Sequence, residues 1–316
     1  MKLAVAGCGA VGRAVCELAG SYGHRVTAIA DSTSAAVDEN GLDVATVLDR
    51  KSERGTVGSG DQEHALASEY DVLVEATPTT LGDAEPGFSH TERALARDAH
   101  VVLANKGPVA ERYGDLRAAE RDSDGTVLFE ATVGGAIPIL STIADLGPED
   151  VTAVRGVLNG TANFVLSRMS AEGLDYEHVL AEAQDLGVAE TDPTFDVEGT
   201  DAALKCVILA NVLGDGDTTL DDAQVEGITR LTPSALDLAS EDGRTVRLVG
   251  EVTDGENPTV RVGPRLVPEH GTLAVTGTQN IVQLETRHAG QLNLSGRGAG
   301  GRATASAVLA DVGRLP

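Results

Sequence analysis

The chain has 316 residues, a formal charge of −25 and 41% hydrophobic residues. That length accommodates two domains, each with a core of its own. No apolar run approaches the eighteen or so residues of a membrane-spanning helix, and so negative a field repels phosphate backbones, which argues against membrane and nucleic-acid partners.

In chain order, residues 2–7 (KLAVAG) read as a short buried strand running into the glycine loop GCGAVG, Gly7 to Gly12. The opening MKLAVAGCGA thus reads as the start of a fold, without the pattern of a signal peptide. RAVCELAGSYG carries apolar residues at helical spacing, and VTAIAD (26–31) is the next strand. DVLVEATP (71–78), HVVLANKGP (100–108) and TVLFEA (126–131) are further β-rich runs, separated by helical stretches such as HTERALARDA. Alternating strand and helix predicts a parallel sheet with right-handed crossovers. Beyond about residue 134 the pattern changes. VTAVRGVLNG reads as a strand, and NFVLSRMSAEG, YEHVLAEAQDLG and DAALKCVILANVLG read as three amphipathic helices. From about residue 245 short strands follow: TVRLVGEVTD, PTVRVGPRLV, NIVQLETRH and QLNLSG. The last run, GRGAGGRATASAVLADV, is a glycine loop and a helix that could return to the first domain.

Gly7-x-Gly9-x-x-Gly12 follows a strand and opens a helix, and Asp31 ends the next strand. The first glycine permits the tight turn, the second lets backbone approach a pyrophosphate, and the third packs helix on sheet. The free amides of the first helical turn, at Ala10, Val11 and Gly12, then face the phosphates. Asp31 suits the ribose 2′-hydroxyl of NAD and repels the extra phosphate of NADP, although Lys51 softens that repulsion if the intervening segment folds back. Thr77, at the end of the run 71–78, is counted with the cofactor residues. The expected fold is α/β: a Rossmann-type parallel sheet, the dinucleotide-binding domain, over 1–133 plus 298–316, and a mixed α+β domain over 134–297.

Of 24 basic residues only four are lysines: Lys2, Lys51, Lys106 and Lys205. Such a lysine-poor, acidic composition resembles proteins of salt-loaded cytoplasms, where ions screen self-repulsion. Three cysteines without CxxC spacing suit a reduced, cytoplasmic compartment, and the scattered histidines show no metal-binding spacing. Lys106 lies in ANKGP, just past a strand's carboxyl end, where open parallel sheets place ligands. Lys205 closes the acidic stretch ETDPTFDVEGTDAALK and shares a helix face with Asp201. A lysine beside a nicotinamide can neutralise and protonate an oxygen that gains electrons.

The stretches GxGxxG, VVLANKGPVA, EATVGGAIPI, GVLNGTANFVLSRM, EAQDLGVAETDPTFDVEGTDAALK and GRGAGGRATASAVLADV resemble homoserine dehydrogenases, in order and over nearly the whole chain. The resemblance implies reversible NAD(P)-dependent reduction of aspartate 4-semialdehyde to homoserine, in threonine and methionine biosynthesis. It makes the second domain the substrate-binding and dimerisation part, and the protein a homodimer. Lys205 becomes the proton donor and Lys106 a second lysine contacting substrate and nicotinamide. Glu190 and Asp201 become substrate ligands with Asp196 nearby, which suits an ammonium-bearing substrate. The amides of Gly160 and Thr161, at a helix start near Asn159, suit its carboxylate. Gly187 and the Gly298–Gly300 loop lie near the nicotinamide or ribose by the same resemblance. A monovalent cation, sodium or potassium, is implied at carbonyls of Glu130, Val133, Gly135 and Ile137.

Plainer readings stand beside these. Asp201 also suits a first helical turn capped by Thr200, Lys205 a simple pair with Asp201, and Asn159 to Thr161 a helix cap. Pro193 keeps Asp192 out of helical geometry, so 190–198 reads as a loop. Asp192 and Glu198 read as solvated charges, and Glu75 as an ordinary acid ending a strand. The chain departs from the family in Pro108, which follows NKG. With the sequence ending at Pro316, threonine feedback through a C-terminal regulatory module, found in many members of the family, is not expected. The competing functions are another oxidoreductase of amino or keto acids and a non-catalytic dinucleotide sensor; the retained Lys106 and Lys205 argue against the sensor.

Overall fold

The strand β1 (Lys2–Ala6) is buried from Leu3 onward and occupies a middle position of the first sheet in the computed structural model. All residues except 215 and 254–258 are described, so the two ends of the predicted strands TVRLVGEVTD and PTVRVGPRLV lie outside the described residues. Two compact units result, 1–136 with 299–316, and 137–298.

In the first unit, β1 leads through the glycine loop into α1 (Ala10–Ala19) and back to β2 (Arg25–Ala30). A strand absent from the sequence reading, β3 (Ala35–Val37), then turns back antiparallel along β2. Helices α2 (Val44–Arg54) and α3 (Gln62–Ala67) lead to β4 (Val72–Glu75), and α4 (Gly87–Leu95) to β5 (His100–Leu103). After β5 come α5 (Gly107–Glu111), α6 (Tyr113–Arg121), β6 (Val127–Leu128) and the single turn α7 (Ala131–Gly134). The sheet order is β3-β2-β1-β4-β5-β6, parallel except for β3. The run 126–131 is shorter as a strand than expected, because Glu130 already has helical dihedrals and Ala131 begins α7. Pro108 sits in the first turn of α5, where a missing N–H costs no helical bond.

The second unit opens with α8 (Ile139–Leu146) and β7 (Val151–Val157), followed by α9 (Gly160–Glu172) and α10 (Tyr176–Asp185). The segment 190–198 is not wholly a loop: it contains the turn α11 (Thr194–Val197), which begins after Pro193. Next is α12 (Thr200–Leu213), in which every residue from Asp201 to Asn211 is buried. Its cap is Gly199, at φ +88°, so the expectation that Thr200 caps it is corrected: Thr200 is the first helical residue. The remaining elements are β8 (Gln224–Val225), α13 (Pro233–Glu241), β9 (Arg244–Thr253), β10 (Thr259–Pro268), β11 (Gln279–Thr286) and β12 (Gln291–Arg297). They make a second sheet of order β12-β11-β7-β9-β10-β8, antiparallel except between β10 and β8. The helix α12 lies on it closely enough that a Cβ at Gly250 would meet Cys206 Sγ at 2.4 Å.

The chain then returns to the first unit as α14 (Gly301–Val312). It packs beside α1, burying Ala305, Val308, Leu309 and Val312 in one cluster with Leu3, Val5, Val15 and Val74. Among the described residues no helix is long and apolar enough to cross a membrane.

A buried acid ties α14 to the start of α7: Asp311 Oδ2 accepts the amide of Glu130 at 2.8 Å, and Oδ1 accepts Arg314 Nη1 at 2.8 Å. Burial pushes the Asp311 carboxyl up from 3.8 to about 6; the Glu130 charge adds to this, and the Glu130 amide and Arg314 only partly offset it. Folding therefore favours the protonated form, and stability from this group is full below about pH 4 and lost as pH rises through about 6. Asp311→Asn is expected to gain stability relative to the parent by about 1 kcal/mol more at pH 8 than at pH 5. Denaturant titrations at the two pH values check this; an identical difference at both would contradict it.

Candidate active site

The three glycines of the first loop do different things. A Cβ on Gly7 would meet Ala76 O at 2.3 Å, and one on Gly12 would meet Gly7 O at 1.8 Å, so both positions are closed by backbone. At Gly9 a Cβ would meet nothing within 4 Å. The open space lies at the N-terminus of α1, where the amides of Ala10, Val11 and Gly12 precede the first intrahelical bond, from Arg13 N to Gly9 O. Free donors, a positive dipole end and room for backbone-close phosphates fit a dinucleotide pyrophosphate.

Asp31 follows β2 and is buried. Its Oδ1 accepts the amides of Thr33 (2.8 Å) and Ser34 (2.7 Å) and both their hydroxyls, while Oδ2 accepts Lys51 Nζ at 2.7 Å. Burial alone would raise this carboxyl, but Lys51 and the Thr33 and Ser34 donors outweigh it and hold it at about 2. The anticipated folding back of Lys51 is thus present: α2 carries it onto Asp31, and Nζ also donates to Gly55 O.

The carboxyl ends of β4 and β5 carry Thr77 and Lys106. Glu75, which ends β4, is no ordinary solvated acid: its side chain is fully buried, 3.5 Å from His90 Nδ1. Thr77 donates to Glu75 Oε1 through its amide and its hydroxyl, and Asn105 Nδ2 donates to Thr77 Oγ1 at 3.1 Å. Asn105 Oδ1 in turn accepts the amide of Gly107 at 2.9 Å. Lys106, half-buried at the start of α5, is therefore flanked by backbone pinned on both sides.

In the second unit, Lys205 is 5% exposed. Its Nζ donates to Asp201 Oδ2 at 2.6 Å and to Leu158 O at 2.7 Å. Asp201 Oδ2 also accepts Asn159 Nδ2 at 2.9 Å, and Asp196 Oδ1 accepts the same nitrogen at 2.7 Å. Asn280 Nδ2 shares the Leu158 carbonyl with the lysine, at 2.8 Å, and the space it needs exists because Gly298 lacks a Cβ, which would stand 1.8 Å from that nitrogen. Asp196, Asp201 and Lys205 thus meet at the head of α9, where the amides of Gly160 and Thr161 precede the first intrahelical bond, from Asn163 N to Asn159 O. Nothing in NIVQLETRH marked Asn280 in advance, and the sequence marked Asn159 only as a cap.

Other predicted residues fall elsewhere. Glu190 is exposed after α10, outside this hydrogen-bonded group, as is Gly187 at φ +68°. Asp192 and Glu198 are exposed; Asp192 accepts the amide of Thr194 and Glu198 the hydroxyl of Thr229. Gly300, at φ +113°, precedes α14. Glu130, Val133 and Gly135 belong to the first unit and Ile137 to the second. Among the described residues no group of three or more His, Cys, Asp and Glu side chains is placed to hold a metal. The carbonyls of Glu130 and Ile137 accept the amides of Val133 and Ile139.

A family model described as homoserine dehydrogenase matches residues 138–312, and one described as homoserine dehydrogenase, NAD binding domain, matches residues 7–130. A homoserine dehydrogenase of Methanocaldococcus jannaschii is 39% identical over 330 residues, which cover 99% of this chain and 97% of that protein. An NAD(+)-dependent homoserine dehydrogenase of Pseudomonas canavaninivorans is 33% identical, covering 98% of this chain and 95% of its own. Among solved structures, a hyperthermophilic archaeal homoserine dehydrogenase in complex with NADPH matches with a TM-score of 0.85 at 27% identity, over 99% of this chain and 96% of that one.

Gly9 has φ −80° and ψ −162°, a conformation open to any residue. Gly9→Val is therefore expected to leave the melting temperature unchanged while weakening nicotinamide dinucleotide binding at least about tenfold. Thermal melts and NADH or NADPH fluorescence titrations check both halves; unimpaired binding would place the phosphates elsewhere.

Proposed function

The chain belongs to the homoserine dehydrogenase family, and on that premise we propose how its residues carry out the NAD(P)-dependent interconversion of aspartate 4-semialdehyde and homoserine. The observation that supports the reading best is the Lys205 ammonium, buried and held by Asp201 and the Leu158 carbonyl. An ammonium has three N–H groups, and the described residues accept two of them, so one is left to point at a substrate oxygen. In the reducing direction Lys205 gives that proton to the oxygen of the aldehyde as it becomes a hydroxyl; in the oxidising direction it takes the proton back. The bound dinucleotide supplies or accepts the hydride.

The substrate's ammonium needs desolvated anionic partners. We assign Asp196 and Glu190 to it. Asp201 completes the set, with its Oδ2 committed to holding the lysine and Asn159. The amides of Gly160 and Thr161 take the substrate carboxylate. Lys106 stands at the carboxyl end of β5, the side of an open sheet where ligands bind, and is assigned to nicotinamide and substrate. For the dinucleotide, Gly7, Gly9 and Gly12 shape the loop, Ala10 and Val11 offer amides, and Thr77 belongs at the nicotinamide end. Gly187, Gly298 and Gly300, a monovalent cation at the carbonyls of Glu130, Val133, Gly135 and Ile137, and a homodimer complete the proposal on family likeness. A salt-loaded cytoplasm completes it on the −25 charge.

NAD is the favoured cofactor in this proposal, because an Asp31 carboxyl held at about 2 is ionised at any working pH. Lys51, at 2.7 Å, tempers the repulsion that a 2′-phosphate would feel. Asp31→Ala is expected to shift the ratio of kcat/KM for NAD over NADP toward NADP; an unchanged ratio would separate Asp31 from the ribose. Lys205→Ala is expected to lower kcat at least about a hundredfold with little change in dinucleotide affinity. Steady-state rates with homoserine decide that point, and normal turnover would end the proton-donor assignment.

A further inference from the structure

Asn159 does more than cap a helix. Its side chain is buried and every hydrogen-bonding group on it is used: Oδ1 accepts the amide of Ala162 at 2.8 Å, and Nδ2 donates to both Asp196 and Asp201. An asparagine amide has only two N–H donors, and here each goes to a different carboxylate. The amide's orientation is fixed by these contacts, since turning it over would set its carbonyl against two carboxylates and its NH2 against an N–H. The two acids come from separate elements, α11 and α12, joined by Gly199 in the left-handed region. Brought together they repel, and the Asn159 hydrogens lie between them.

We propose that Asn159 is a positioning residue for recognition of the substrate's ammonium. It holds two carboxylates on one nitrogen, so that Asp201 is spent on Lys205 while Asp196 keeps its charge for the ligand. With Lys205 charged, Asp196, Asp201 and Lys205 together carry one net negative charge, which a single ammonium neutralises. Asn159 also shares Asp201 Oδ2 with Lys205, so it fixes where the lysine's partner stands. Capping alone does not require asparagine, because serine and aspartate cap as well.

This inference rests on the substrate site proposed above, and the test separates the two. Asn159→Ser keeps a capping oxygen but cannot donate to both carboxylates. It is expected to lower kcat/KM for homoserine at least about tenfold, mainly through KM, with melting temperature and NADH affinity unchanged. Asn159→Asp keeps both cap and shape but sets a third carboxylate against the first two, and is expected to lose at least about a hundredfold; it serves if the serine variant does not fold. Values of kcat/KM within twofold of the parent in either variant would overturn the proposal, as would a loss matched by an equal loss of NADH affinity. An inactive Lys205→Ala beside a fully active Asn159→Ser would remove this inference alone, whereas an active Lys205→Ala would remove the site beneath it.

Discussion

A lysine withdrawn almost wholly from water must be partnered, and the rest of this site follows from that requirement. Taking an ammonium out of water costs several kcal/mol unless charge and hydrogen bonds replace its hydration. Lys205 meets the condition with one carboxylate and one carbonyl. Each partner is in turn held: Asp201 by Asn159, and the Leu158 carbonyl shared with Asn280. Removing water from such a group strengthens its pull on a developing negative charge. The same burial makes any unpaired charge left by a mutation costly, so the arrangement tolerates little change.

The proposed nucleotide end is built differently, with main-chain amides of the first turn of α1 as its donors. At Gly7 and Gly12 main chain passes too close for a Cβ, while at Gly9 a Cβ would meet nothing within 4 Å. Nearby, Asp31 and Lys51 are paired with one another, so the carboxylate that would meet the ribose already carries a cation beside it.

Period and punctuation made most of the fold legible. The strands at 2–7, 26–31, 71–78 and 100–108 and the helices around 160 and 200 fall where apolar spacing and glycines put them. The missed strands share a cause. The strands β3, with three residues, and β8, with two, are set by what they pair with, and no periodicity shows in so few positions. The cap of α12 went to Gly199 over Thr200 because the turn from α11 needs a positive φ, a demand that outranks side-chain capping preference. The pairing of Lys205 with Asp201 was visible as a helical i, i+4 spacing. Its further partners were not, since Leu158 and Asn280 come from other elements, and only the folded sheet brings them to the lysine.

The central claim is that one uncompensated carboxylate waits for an ammonium beside a proton-donating lysine. Comparing kcat/KM for homoserine with that for 4-hydroxybutanoate, the same alcohol without its amino group, tests it most directly. The account predicts rejection of the des-amino compound by at least about a hundredfold, because Asp196 would be left without its cationic partner. Comparable turnover of the two would contradict it.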